Sequence, residues 1–127
     1  MPAFDEGRPL FMQIAEQLAD DIVDEVLKEG ARVPSTNELA AFHRINPATA
    51  AKGINLLVDE NVLEKRRGIG MFVAARAREQ LLAQRRKRFA ETFLEPMLAE
   101  AKRLGIDFDT VMSLVKGADW RNGGSSR

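Results

Sequence analysis

The feature that most constrains the fold is a pair of helix starts that lie close together in the chain. In the stretch PSTNELAAF, Ser35 can cap a helix and Glu38 can return the hydrogen bond, which completes a capping box. A second start lies at Asn46, a capping residue followed by Pro47 at the first helical position, where its missing N–H has no cost. Two helices joined by the short connection from His43 to Ile45 predict a helix-turn-helix.

Apolar stripes support three helices in this part of the chain. From Pro9 onward, apolar residues recur at every fourth position, which predicts a first helix to about Glu29, ended by Gly30. The third helix should end at Asn61 in a left-handed conformation. The expected buried residues are Leu10, Ile14, Leu18, Ile22 and Val26 in the first helix, Leu39, Ala40 and Phe42 in the second, and Ala50, Ile54, Leu57 and Val58 in the third.

A glycine-containing turn with β-forming residues on both sides follows the third helix. The segments VLEKRR and GMFVAA flank Arg67, Gly68, Ile69 and Gly70, which is the pattern of a β-hairpin. Three helices followed by a hairpin predict a winged helix, with the third helix in the DNA major groove and the wing at the backbone or minor groove.

The Gly-Ile-Gly of this turn has two other interpretations. A dinucleotide-binding loop would need a buried strand before it, a helix after it and an acidic residue about 20 positions later. The following MFVAA is strand-like and the other features are also missing, so a cofactor loop is disfavoured and no cofactor is predicted. A plain structural turn remains open beside the favoured DNA-contacting wing.

The C-terminal third predicts two more helices. A long helical pattern runs from beyond Ala75 to about Leu104, and Pro96 should bend or divide it. A last helix begins at Asp107, with Ile106 and Val111 as a hydrophobic staple, and runs to about Lys116.

The predicted fold class is mainly α with a small β-hairpin. We expect a winged-helix DNA-binding domain over residues 1–75, a helical dimerisation extension over residues 76–117, and a disordered tail over residues 118–127.

Composition excludes several function classes. Without cysteine, and with His43 as the one histidine, thiolate chemistry and a histidine metal cluster within one chain are excluded, so no metal is predicted. No run approaches the roughly 18 apolar residues of a membrane span, and the N-terminus lacks a secretory pattern, so a cytoplasmic protein is expected. His43 is interpreted as a turn or packing residue rather than a pH sensor.

The net charge is zero, but the charges are unevenly distributed. Residues 1–30 carry two basic and eight acidic groups, residues 31–75 carry six and four, and residues 76–127 carry eleven and seven. This leaves room for a local positive face, although non-specific DNA binding should be weak. The run RRKR at residues 85–88 is interpreted as a solvated helix face, with an auxiliary DNA contact as the alternative.

Three stretches together resemble the GntR family of bacterial transcription regulators. They are RPLFMQIAEQLADDI at residues 8–22, VPSTNELAAFHRINPATAAKGINLLVDENVLEKRRGIGMFV at residues 33–73, and the short helical tail. The tail and the NPATAAK segment are similar to the YtrA subfamily, which has a two-helix dimerisation extension where other subfamilies carry a large ligand-binding domain. The resemblance implies a DNA-binding regulator and the control of a neighbouring transporter operon.

The sequence departs from the family pattern where DNA contact is expected. The family places an arginine at the position of Asn37, and many members carry arginines at the positions of Pro47 and Ala51. A weaker electrostatic contribution is therefore expected, or compensation by other cations. The candidate DNA-binding residues are Ser35, Thr36, Asn37, Arg44, Asn46, Ala48, Thr49, Lys52, Arg66, Arg67, Gly68 and Gly70.

An apolar stripe marks the C-terminal helices. Because a two-helix extension cannot bury so wide a stripe on itself, a two-fold homodimer is expected, and a small-molecule effector at its interface is left open. The candidate dimerisation residues are Leu82, Phe89, Phe93, Met97, Phe108, Val111 and Met112.

The first hypothesis is therefore a homodimeric repressor on a pseudo-palindromic double-stranded DNA operator. The second is a winged-helix module that binds protein and not DNA. The missing family arginines are the feature that favours this hypothesis. An enzyme is the weakest hypothesis, since no nucleophile with a base, no metal cluster and no carboxylate pair stands out.

Overall fold

The structure of the protein is a computed structural model that describes residues 4–118. The chain forms two compact units, with the division between Arg85 and Arg86. The predicted tail lies outside the described residues from position 119 onward.

The first unit contains three helices, a small sheet and the beginning of a fourth helix. The helices are α1 (Leu10–Val23), α2 (Thr36–His43), α3 (Pro47–Asp59) and the first part of α4 (Ala77–Phe89), and the strands are β1 (Arg32–Val33), β2 (Leu63–Arg66) and β3 (Gly70–Val73). The sheet is antiparallel in the order β1-β3-β2. This is a winged helix, as the sequence predicts.

The core of this unit lies where α1, α3 and the sheet meet. Its largest fully buried side chains are Ile14, Ile22, Val33, Ile54, Val62 and Val73. Helices α1 and α3 approach closely at Gly53, where a Cβ would lie 2.8 Å from the carbonyl oxygen of Phe11. A side chain at this position would therefore push α3 away from α1.

Helix α1 is shorter than its stripe predicts. It ends at Val23 and not near Glu29, and Glu25 has a φ of 63°. The amides of Val26 and Leu27 both donate to the carbonyl of Asp21, so the chain turns here. Four carboxylates in the segment DDIVDE are unfavourable at a helix C-terminus, which carries partial negative charge, and the apolar pattern does not register this cost.

One further expectation for this unit was wrong, and one strand was not predicted. Phe42 was expected on the buried face of α2 but is 68% exposed. Strand β1 was not predicted, because its two residues become a strand only by pairing with β3, Arg32 opposite Phe72 and Val33 opposite Met71. The boundaries of α2 and α3 lie within about two residues of those predicted from the sequence.

The start of α4 packs into the first unit. Ala77 and Leu81 belong to its hydrophobic core. The Nε of Arg78 donates to the carbonyl of Val23 at 2.8 Å, and the Nη2 of Arg85 donates to Asp20 at 2.6 Å. These contacts explain why the division between the units lies later in the chain than residue 75.

The second unit contains the end of α4, a π-helical segment (Ala90–Leu94), α5 (Glu95–Arg103) and α6 (Phe108–Gly117). The amide of Glu95 donates to the carbonyl of Ala90, the wider hydrogen bond of a π turn. Pro96 follows directly, and the wider turn accommodates its ring, so the sequence predicted the position of this irregularity. The side chain of Asp107 caps α6 at the amide of Thr110, 2.9 Å away.

Candidate nucleic-acid interface

The N-terminus of α2 is closed by the predicted capping box. The amide of Glu38 donates to Ser35 Oγ at 3.0 Å, and the amide of Ser35 donates to Glu38 Oε1 at 2.8 Å. These hydrogen bonds lower the pKa of Glu38 below its ordinary value. Thr36 is half-buried and Asn37 is exposed, so Asn37 is the freest side chain of this turn.

The connection between α2 and α3 runs from the left-handed Arg44 through Ile45 to Asn46, the N-cap of α3. Arg44 has a φ of 57° and is exposed. Asn46 Oδ1 accepts a hydrogen bond from the amide of Ala48 at 2.7 Å, which fixes the first turn of α3. Both Asn46 and Ala48 are exposed, so the start of α3 is open to solvent.

Lys52 completes this face of α3. Its Nζ lies 4.1 Å from the centroid of the Phe11 ring, a cation–π arrangement. A shallow groove of about 330 Å³ brings Lys52 together with Ala48, Thr49 and Phe11. The predicted contacts of α3 therefore share one surface, and Phe11 adds an aromatic wall that the sequence indicated only as part of the α1 stripe.

The wing is a tight hairpin with exposed cations at its tip. Arg66 pairs with Gly70 in the register, and the amide of Ile69 donates to the carbonyl of Arg66 at 2.9 Å. Gly68 has a φ of +76°, in the left-handed region that favours glycine. Arg67 is exposed, so its charge is directed to solvent or to a ligand.

Arg66 is held by two neighbours in the wing. Its Nε lies 3.2 Å from Glu64 Oε2, and its guanidinium carbon lies 4.2 Å from the centroid of the Phe72 ring. Arg66 was predicted from the sequence, but its two partners were not. The alternation of side chains along a strand could have indicated these partners. Glu64 and Arg66 lie two positions apart on one strand and so share a face, and Phe72 lies opposite Glu64.

The side chains on this surface are cationic, amide-bearing or small. Among residues 4–118 there is no group of three or more histidine, aspartate and glutamate side chains that could hold a metal ion. No helix in that range is long and apolar enough to cross a membrane. A helix-turn-helix with a basic wing defines the class as winged-helix DNA-binding proteins.

The family model for "Bacterial regulatory proteins, gntR family" matches residues 10–73. The chain therefore belongs to the GntR family, and it is a DNA-binding transcriptional regulator rather than an enzyme. The resemblance noted in the sequence is confirmed.

Two Bacillus subtilis proteins match along most of their length. The chain is 26% identical over 113 residues to the regulator YhcF, covering 89% of this chain and 92% of that protein. It is 26% identical over 117 residues to the transcriptional repressor YtrA, covering 91% and 89%.

Solved structures of similar fold include GntR family regulators and a DNA-binding domain bound to its operator. A GntR family regulator from Listeria monocytogenes is 26% identical, with a TM-score of 0.70, and the match covers 91% of this chain and 100% of that one. The DNA-binding domain of AraR in complex with operator ORR3 is 28% identical, with a TM-score of 0.52, over 58% of this chain and 90% of that one.

Proposed function

We propose that the protein is a homodimeric repressor that acts in the cytoplasm on a pseudo-palindromic operator. Its relative YtrA is a transcriptional repressor, and the related AraR domain is bound to an operator. The observation that carries the proposal is the solvent-open start of α3 beside an exposed basic wing, within a chain whose family is regulatory.

In this proposal the first turns of α3 enter the major groove. Ala48 and Thr49 are small enough for close approach to base edges, and the alanine methyl group suits contact with thymine. Lys52, one turn further along α3, contacts a phosphate and sets the depth of the helix. The exposed Asn37 and Arg44 contact the backbone beside it.

The wing contacts the flanking backbone. Arg67 is free to contact a phosphate, whereas Arg66 must exchange its contact with Glu64 for one with DNA. Gly68 and Gly70 keep the tip narrow, and a side chain at Gly70 would meet Arg32, whose Nε would lie 3.1 Å from the added Cβ. Nothing among the described residues lies within 4 Å of the Cβ position of Gly68, so the tip is open to a phosphate.

The second unit supplies the dimer interface. Phe89, Phe93 and Phe108 are 62%, 63% and 70% exposed, and Met97 and Met112 are 41% and 38% exposed. Phe89 and Phe93 lie with ring centroids 5.6 Å apart, so they form one patch. Apolar exposure on this scale marks an interface, and a self-complementary two-fold contact is the commonest way to cover it.

Two of the predicted dimerisation residues, Val111 and Leu82, are less suited to this surface than the other five. Val111 is 7% exposed, so it is already buried and offers little surface to a second copy. Leu82 is half-buried and lies before the division between the units. The five exposed side chains are therefore the ones proposed to meet a second copy.

Two measurements test this function. The protein selects binding sequences from a random DNA pool, and sedimentation then measures how many chains bind each selected DNA. The expected result is a two-fold symmetric motif with half-sites about one or more helical turns apart, bound by two chains. Selection of an asymmetric motif bound by one chain would contradict the homodimer. Failure of a folded protein to select any motif would favour the protein-binding winged helix instead.

A further inference from the structure

A cleft between α1 and α2 is lined by none of the residues proposed to contact DNA or a second copy. Its volume is about 590 Å³, and its apolar wall includes Leu18, Val26, Leu39 and Phe42. This size lies within the range of small-molecule sites, which are mostly apolar with a few polar groups. We propose that the cleft binds a small organic cation with an apolar body, its ammonium group directed to Asp21 and Gln17.

Unusual exposure marks the mouth of the cleft. Val26 is 71% exposed and Phe42 is 68% exposed, although both are large apolar side chains that line the cavity. Leaving them in water is unfavourable by about 25 cal/mol for each Å² of apolar surface. An apolar ligand body would cover both side chains at once.

Gln17 lines the same cavity, and its side chain carries an unsatisfied acceptor. Gln17 Oε1 is buried and has no hydrogen-bond partner among the described residues. A buried polar atom without a partner is costly, so a ligand that donates a hydrogen bond there would gain from satisfying it. An ammonium group is such a donor, and a carboxylate is not.

The charge of the cleft favours a cation. Asp21 lines the cavity, and α1 ends beside it with no basic residue in its last turn. Burial, together with the charges of Asp20 and Asp24, raises the pKa of Asp21, because its carboxylate has too little stabilisation. A bound ammonium group would supply that stabilisation and would also meet the negative end of the helix dipole.

The other ionisable groups of the cleft offset one another. Arg32 lies near Glu38 and helps to lower the pKa of that carboxyl group, so these two charges compensate. Burial lowers the pKa of His43 and favours its neutral form near pH 7. Asp21 therefore sets the net charge. This site lies within the first unit and differs from the effector position left open at the dimer interface.

The test uses three probes that share one aromatic body. The full chain labelled with ¹⁵N is titrated with phenethylamine, 2-phenylethanol and 3-phenylpropionate, and amide chemical shifts are followed by NMR. The amine should shift the amides around Leu18, Val26 and Phe42 most strongly, the alcohol less, and the carboxylate least. Asp21→Asn should weaken amine binding about fivefold, with alcohol binding unchanged.

Glu29→Gln provides the matched control, because it removes an exposed carboxylate from the segment after α1 that neither lines the cleft nor shifts the pKa of Asp21. It should leave amine binding within about twofold of the wild type. Equal shifts with all three probes, or amine binding that Asp21→Asn does not alter, would overturn the cation selectivity. Absence of shifts at the cleft with every probe would overturn the site.

Discussion

Lys52 on α3 lies over the ring of Phe11 on α1, with its Nζ 4.1 Å from the ring centroid. The residue proposed to meet a DNA phosphate is thus already positioned by the neighbouring helix in the free protein. Such a contact is worth about 0.5–1 kcal/mol at an exposed site, which is small beside a phosphate contact. The ring holds the ammonium group of Lys52 beside α1 without preventing its release to DNA.

Lys52→Ala should therefore weaken DNA binding while leaving the fold almost unchanged. The slope of log affinity against log salt should fall by about one, the contribution of one phosphate contact. Fluorescence anisotropy with a labelled operator measures both quantities, and thermal unfolding checks the fold. Lys28→Ala removes the same charge from the loop after α1 and should change neither. If the wild type and Lys52→Ala had equal slopes, Lys52 would not contact a phosphate.

Glu64→Gln should strengthen DNA binding by a factor of about two to five. The carboxylate holds Arg66 at 3.2 Å, and it also repels phosphates at the wing. Because the pair is exposed, its release contributes no more than about 1 kcal/mol. Asp24→Asn makes the same change in net charge away from the wing and is the control. Weaker binding by Glu64→Gln would show that the ion pair is needed to orient Arg66.

Gly53→Ala should destabilise the first unit by about 1–3 kcal/mol. The added Cβ would lie 2.8 Å from the Phe11 carbonyl oxygen and 3.1 Å from the Ile14 side chain. Urea unfolding measures the loss. Gly117→Ala is the matched control, since nothing lies within 4 Å of its Cβ position and its φ is outside the left-handed region. A Gly53→Ala protein as stable as the wild type would contradict the close packing of α1 on α3.

Phe93→Asp should convert the proposed homodimer to a monomer. The ring is 63% exposed within its unit, and a carboxylate there would be desolvated in the proposed interface. Light scattering after size exclusion measures the mass, which should halve. Val26→Asp makes the same kind of change at an exposed residue of the first unit and should leave the dimer intact. A dimeric Phe93→Asp protein would exclude this residue from the interface.

Glu38→Gln should make stability less dependent on pH in acid. The capping box lowers the pKa of Glu38 from its ordinary value of 4.5, so its carboxylate stabilises the fold above that pH. This contribution is lost as the pH falls from 4.5 through the lowered pKa. Melting temperatures from about pH 6 to about pH 3 should therefore fall less in the variant. Glutamine can accept the same bond from Ser35, so both proteins should melt similarly at neutral pH.

The sequence was most informative where structure depends on near neighbours. The capping box at Ser35, the Asn46 cap, the left-handed Asn61 and the turn at Gly68 all involve residues close in the chain, and all are present. Pro96 likewise indicated the irregular turn before it. These features depend on local backbone chemistry that single residue types reveal.

Features that depend on distant contacts were missed. Strand β1 exists only through pairing with β3, and the need for Gly53 arises only when α1 lies against α3. In the site, the sequence identified Lys52 and Arg66 as cations, but it did not show that Phe11 and Phe72 hold them. Such partners follow from packing, which no local pattern encodes.

The most direct test of the operator-binding homodimer is capture of genomic fragments by the purified protein at about 150 mM salt, where weak non-specific binding is suppressed. The retained DNA is sequenced, and the oligomeric state is checked in the same preparation. We expect a few fragments to be enriched that share a two-fold symmetric site. A folded dimer that enriches no sequence would contradict the account.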